Sequence, residues 1–354
     1  MSPFTPIILT AFLVSALLTR WLKGRLIAKA MMDVPNERSM HTTPVPRGGG
    51  LAMMAVIVVG MVATVLWPFV IAITNGIPSS VMPAKAGIPF LFLIASVLLL
   101  MGISWLDDRK SLRASLRLSV HLLAALIGSF ALGDHATLFG AALPFWLDRA
   151  VMVLGWAWFM NLYNFMDGID GLTATQTIAV VTGVASFIGA IASLDPQVLL
   201  TGDMALCSLI IGASAGFLVY NWHPAKLFMG DVGSVPLGFL VAYLLIKMVT
   251  LGLMLPALLL PLYYLADSGI TITRRALRGE KFWQAHRQHF YQRAALGEGS
   301  PKPVVYKIIA ANVALFGAAL LSMATPWLGL SVGVLIIVVL LASLSKSAQK
   351  VRKP

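Results

Sequence analysis

Cysteine is all but absent: Cys207 is the only one in 354 residues, so the chain has no intramolecular disulfide and no cysteine-rich metal site. Charge is scarce too. Only 11% of the residues are Asp, Glu, Lys or Arg and 58% are hydrophobic, whereas a soluble protein is roughly 25% charged; a soluble globular enzyme is excluded. Acids are rarer than bases, 14 against 26, for a formal net charge of +12. With a mean hydropathy of +0.87, the chain is too apolar for a disordered or nucleic-acid-binding basic protein. The basic excess is therefore read as orientation, because polytopic membrane proteins keep Lys and Arg in their cytoplasmic loops. No heptad array, low-complexity tract, internal repeat or soluble segment interrupts the pattern, so residues 1–354 are expected to form one all-α membrane domain.

A spanning helix needs about 20 mostly apolar residues. About eleven such runs are present, near 4–22, 50–74, 88–106, 116–133, 144–161, 172–193, 197–220, 233–251, 252–270, 304–325 and 327–344. Gly252 and Pro256 divide the stretch 233–270 in two. The first run lacks a small-residue cleavage site and is followed by many others, which makes it a retained helix rather than a secretion signal. Its basic end, Arg20, Lys23 and Arg25, belongs in the cytoplasm, so the N-terminus is expected outside and the C-terminus inside. Alternation then makes 23–49, 107–115, 162–171, 221–232, 271–303 and the tail after 344 cytoplasmic. All basic residues but Lys85, Arg149 and Lys247 fall in or at the edges of those segments, as the positive-inside rule requires.

The same alternation gathers the polar motifs on one face. Asp107-Asp108 ends the third run; adjacent acids on a helix point apart, one into the bundle and one toward the aqueous mouth. Asn161, Asn164, Asp167 and Asp170 recur every three positions, one stripe of a helical turn. Gly168 and Gly171 end that turn and admit a ligand close to the backbone. Asn221, His223 and Phe228 precede Gly230-Asp231-Val232-Gly233-Ser234 at the start of the eighth run. His286 and His289, three apart in a loop rich in Arg and aromatics, can hydrogen-bond phosphate, while part of that loop is expected to lie amphipathically on the membrane surface. The Pro- and Gly-rich loop from Asp33 through Arg38, His41 and Arg47 to Gly50 is expected to be non-helical, its glycine run able to cradle phosphate. Carboxylates at the edge of the hydrocarbon are costly and point to function. Their oxygen-only chemistry suits Mg²⁺, with Mn²⁺ as a substitute, rather than zinc.

Taken in order, DVPNERSMHTTPVPRGGG, WLDD, NLYNFMDGIDGL, NWHPAKLFMGDVGS and HRQH resemble the motifs of the polyprenyl-phosphate N-acetylhexosamine-1-phosphate transferases. The resemblance covers about Asp33 to His289. It implies a bacterial inner-membrane enzyme with its site facing the cytoplasm, and UDP-N-acetylhexosamine and undecaprenyl phosphate as substrates. Nucleic acid is excluded as a partner, and a homodimer is left open. By the same resemblance Asp107 and Asp108 sit at the reacting phosphates and share the metal with Asp231, its principal ligand. Asn164, Asp167 and Asp170 line the cleft, Asn221 and Phe228 hold the uracil, and His286 and His289 serve the diphosphate. Arg47, Lys110, Asn161 and Arg287 complete the expected substrate-binding set. One departure matters: Arg287 and Gln288 interrupt the denser histidine run of many members, which argues against the MurNAc-pentapeptide branch. The product would then be a lipid diphosphosugar that starts a glycan such as O-antigen.

Two other classes are weaker. A cation-coupled transporter would carry its acids near the bilayer midplane on broken helices, not at span ends on one side. A CDP-alcohol phosphotransferase would follow its Asp-Gly with Ala-Arg where Leu172-Thr173 stands, and a prenyltransferase would place an acid where Ser111 stands.

Overall fold

The computed structural model describes residues 4–35, 43–74, 87–133, 136–194, 201–280 and 286–350. Arg38, His41, Lys85 and Lys281–Trp283 lie outside them. The described residues are mostly helical: α1 (Thr5–Ala28), α2 (Gly50–Thr74), α3 (Ile88–Lys110), α4 (Ala114–Ser129), α5 (Phe145–Phe165), α6 (Leu172–Leu194), α7 (Thr201–Asn221), α8 (Asp231–Thr250), α9 (Met254–Leu259), α10 (Leu262–Leu277), α11 (Phe290–Glu298), α12 (Pro301–Ala324) and α13 (Pro326–Ala348). The described strands are β1 (Met32–Asp33) and β2 (Val45–Pro46), an antiparallel pair in the first loop.

Nine helices among the described residues are long and apolar enough to cross a membrane, and the chain is a multi-pass membrane protein. The other two expected runs behave differently. α5 begins with Asp148 and Arg149, whose charges dilute its apolar character. The run at 252–270 is broken: Gly252 turns the chain at φ +83°, α9 lasts six residues, and α10 starts after Pro261 and continues to Leu277. Pro256 and Pro261 lack the amide that an unbroken helix would need.

α8 is the most buried of the nine and packs against α2, α3, α5 and α6. Its first turn is thereby held in the middle of the bundle's polar end. α1 lies against α7 at backbone distance, because a Cβ on Gly212 or Gly216 would come 2.3 or 2.4 Å from the carbonyl oxygens of Ile8 and Phe12. Small residues give helices in lipid this close contact, and Ser15 Oγ donates to the Ala213 carbonyl across it at 2.7 Å.

Candidate active site

The first loop is strapped across the start of α8. Phe228 N–H donates to the Pro46 carbonyl at 2.9 Å, Gly49 N–H to Phe228 at 2.8 Å and Gly50 N–H to Met229 at 2.9 Å. A Cβ on Gly50 would lie 2.3 Å from Gly233 Cα, so the strap seats only because both positions are glycine. It aims one guanidinium. Arg47 Nη2 lies 2.8 Å from Asp231 Oδ1 and 2.9 Å from Asp108 Oδ1, joining the end of α3 to the start of α8. The Asp108 side chain is only 4% exposed and accepts from Val232 N–H at 3.4 Å, at the helix end whose dipole favours an anion.

Asp107 faces elsewhere. Its carboxylate accepts from the Leu112 amide at 2.6 Å and from Arg117 Nη1 at 2.8 Å, tying the α3–α4 turn. Adjacent acids diverge as the helix geometry requires: Arg47 joins Asp108 to Asp231, while Asp107 pairs with Arg117.

The expected stripe from Asn161 to Asp170 is also interrupted, because α5 ends at Phe165. Asn161 bonds back to the Ala157 carbonyl at 2.7 Å. Asn164 accepts from Ser234 Oγ at 2.7 Å and so meets the first turn of α8. Half-buried Asp167 follows in the loop; loss of water pushes its carboxyl up to about 6, Thr173 opposes this by hydrogen bonding, and nearby Asp231 adds to it. Asp170 turns away to His223 Nδ1 at 2.6 Å and the Ala225 amide at 3.0 Å. Asn221 is buried; it accepts from Gly171 N–H and donates to the Leu227 carbonyl, each at 3.0 Å. Both its polar atoms thus hold two loops together beside the half-buried Phe228.

In the 271–303 segment α11 turns one face inward and leaves Arg293 and Leu296 exposed: Phe290 and Tyr291 are buried, and Tyr291 hydroxyl donates to the Phe165 carbonyl at 3.0 Å, bringing α11 to the Asp167 loop. His286 and His289 stack with ring centroids 4.8 Å apart but are not equivalent. His289 is buried, with Nδ1 3.1 Å from Asp267 Oδ1. Half-buried His286 has its pKa lowered to about 4 by desolvation and by the neighbouring His289 and Arg275, so it is neutral at pH 7. Asp267 was not singled out in the sequence. It is fully buried in α10 and accepts from the amides of Phe290 and Tyr291, at 3.0 and 3.2 Å, and from the hydroxyls of Tyr263 and Thr271. Its only sequence signal is an acid inside an apolar run.

Two cavities flank the Arg47 junction. One, of about 460 Å³, is lined by Lys29, Met31, Asp33, Arg47, Asp108 and Arg109. Exposed Lys110 is not among its walls, whereas Arg109 is, braced over the Trp105 ring at 4.4 Å. The other, of about 350 Å³, is a largely apolar groove with Leu118, Leu122, Leu154, Trp158 and Ile272 in its wall and Asp107, Arg117, His121, Asn161, Asn164 and Asp231 at its polar part. Nothing in the sequence marks Arg117 or His121: one stands at the edge of an apolar run and the other inside it.

A family model described as glycosyl transferase family 4 matches residues 90–249. A probable undecaprenyl-phosphate N-acetylglucosaminyl 1-phosphate transferase of Bacillus subtilis is 29% identical over 94% of this chain and 89% of its own length. Over residues 90–249 the chain is thus similar to glycosyl transferase family 4. Also similar are a decaprenyl-phosphate N-acetylglucosaminephosphotransferase of Mycobacterium tuberculosis, 31% identical over 65% of this chain and 57% of its own, and a phospho-N-acetylmuramoyl-pentapeptide-transferase of Chlorobium phaeobacteroides, 28% identical over 71% of each. The family match includes Asp108, Asn164, Asp167 and Asp231; Arg47 and the 286–289 loop lie outside it.

Proposed function

We propose that this protein is a glycosyl transferase family 4 enzyme that transfers N-acetylhexosamine 1-phosphate from a UDP-sugar to a polyprenyl phosphate at the cytoplasmic face of a bacterial inner membrane. The observation that carries the reading is Arg47 bridging Asp108 and Asp231, acids far apart in the chain, at the junction of a polar cavity and an apolar groove. The two cavities match two substrates of opposite solubility. The prenyl chain lies in the groove with its phosphate toward Arg117 and His121, while the nucleotide enters from the aqueous side past Phe228 and Arg109.

A lipid phosphate oxygen attacks the sugar-bearing phosphorus, the bond from that phosphorus to the UMP oxygen breaks, and UMP leaves. A phosphomonoester, with a second pKa of about 6, is already largely a dianion at neutral pH, so no strong base is required. The protein's work is to position and to balance charge. Arg47 supplies a cation between two carboxylates, and Asn164, fixed by Ser234, holds the Asp167 loop to α8.

Mg²⁺, or Mn²⁺ in its place, fits this donor set. Asp108 Oδ1 is buried and, among the described residues, has only the Arg47 ion pair and no hydrogen bond of good geometry, and both candidate ligands are hard carboxylate oxygens. Among the described residues no three His, Cys, Asp or Glu side chains converge to cage a metal, as suits an ion that usually takes one or two carboxylates and completes its shell with water and substrate phosphates. Asp108 and Asp231 would hold it; when bound, it would neutralise charge on the diphosphate.

The test uses purified protein, undecaprenyl phosphate, Mg²⁺ and radiolabelled UDP-N-acetylglucosamine, with UDP-N-acetylmuramoyl-pentapeptide in a parallel arm. Label from the first nucleotide in the lipid extract, abolished by EDTA and by Asp231→Asn or Asp108→Asn, supports the assignment. Full activity in both variants removes these acids from the site.

A further inference from the structure

Beside α11 lies a second polar cavity, of about 460 Å³, lined by Thr271, Arg274, Arg278, Arg287, Gln288 and Arg293. Its walls carry four guanidiniums and, among the described residues, no carboxylate. Two acids neighbour its lining residues: Glu280 is engaged by Arg275 Nε at 2.8 Å and Gln288 Nε2 at 2.9 Å, and Asp267 is buried behind Thr271. Arg274 and Arg278 stand four apart at the C-terminal end of α10, where like charges repel. A bound anion removes that cost. The pocket is built rather than casual: Arg274 is held over the Phe290 ring at 5.4 Å, and Thr271, at its base, is fixed through its hydroxyl to Asp267.

The neighbouring residue says which anion. Leu277 is 83% exposed and adjoins Arg278, so an apolar anchor and a basic pocket sit together at the C-terminal end of α10. Basic groups at this level attract anionic headgroups, while an exposed leucine is at home among acyl chains. The pocket is also separate from the lipid groove. Ile272 of α10 faces that groove, whereas Thr271, Arg274 and Arg278 form another face of the same helix.

We propose that this arginine pocket binds the phosphate of an anionic membrane phospholipid, so that bilayer composition acts on the α10–α11 unit carrying Asp267 and His289. The proposal rests on membrane embedding, not on the transfer reaction. Full-length protein is placed in nanodiscs of phosphatidylcholine with or without phosphatidylglycerol, and the retained lipid is measured by native mass spectrometry. The wild type is expected to retain phosphatidylglycerol in preference to phosphatidylcholine. The Arg274→Gln/Arg278→Gln/Arg293→Gln variant should lose about one to two orders of magnitude of that preference, at about tenfold or less per charge near a membrane, with sugar-phosphate transfer in phosphatidylcholine unchanged. Arg278→Gln alone, at the exposed helix end, gives a partial loss and serves if the triple variant does not fold. Equal retention by wild type and Arg278→Gln overturns the proposal. So does thermal stabilisation of the wild type by inorganic phosphate equal to that by phosphatidylglycerol, which makes the ligand a free anion, or a raised UDP-sugar KM in the variants, which makes the pocket part of the nucleotide-sugar site.

Discussion

His121 is 4% exposed, is hydrogen-bonded to Asn161 and has, among the described residues, no partner at Nδ1, yet it lines the groove assigned to the lipid. A buried polar atom without a partner costs roughly 1–3 kcal/mol, and a lipid phosphate is the group that would satisfy it. His121→Ala is therefore expected to raise the KM for polyprenyl phosphate about tenfold or more, at one lost hydrogen bond to a charged group, while leaving the KM for the UDP-sugar near that of the wild type. Steady-state kinetics with each substrate varied in turn checks it; a change confined to the nucleotide sugar sinks it. Phe228 is expected to behave in the opposite sense. Its backbone is fixed on both sides by the strap, so Phe228→Ala removes a ring and little else, raising the UDP-sugar KM more than it lowers kcat.

At the scale of elements, the strap and the turn into α8 act as one piece. Gly50→Ala would set a methyl 2.3 Å from Gly233 Cα, and forced overpacking of this kind typically costs about 1–3 kcal/mol. The expected result is a lowered thermal midpoint and a kcat loss, because Arg47 rides on the displaced loop; unchanged values in both would mean the strap is not rigid. Much of this region was legible in the sequence. The acids at the end of α3 and the start of α8 stood out because charge at the edge of an apolar run is costly, and helix phase alone required Asp107 and Asp108 to diverge. What could not be read was which acid pairs with which cation. Arg47 and Arg109 over Lys110, Asp170 with His223, and Asn221 as a brace all depend on loop geometry that no periodicity encodes. Asp267 was hidden for a related reason. Buried acids are satisfied by tertiary contacts, and its main donors, the amides of Phe290 and Tyr291, lie more than twenty residues away.

Across the whole molecule, the end of the chain returns to the loop that carries His289. Gly297 presses on the Ser347 carbonyl, where a Cβ would stand 2.0 Å from the oxygen, and Glu298 gathers Lys350 at 2.5 Å, Ser347 at 2.6 Å and Lys307 at 3.3 Å. These bonds, Lys350 first, hold the Glu298 carboxyl down at about 2, against an ordinary 4.5. A depressed carboxylate stabilises the fold at pH values above its unfolded pKa, and the contribution fades as pH falls from about 4.5 toward 2. Single exposed ion pairs contribute little, about 0–1 kcal/mol, but here one acid joins α11, α12 and the end of α13. Glu298→Gln is thus expected to lower the thermal midpoint modestly at pH 7, with the gap to the wild type closing as the solution is acidified below pH 4.5. A gap that stays constant down the titration would show that the charge is not what holds the C-terminal helix to α11. If α13 keeps α11 seated, the same variant should also lose kcat without a matching rise in either KM, because the Tyr291 contact to the Asp167 loop and the His289 contact to Asp267 both sit at the opposite end of that short helix.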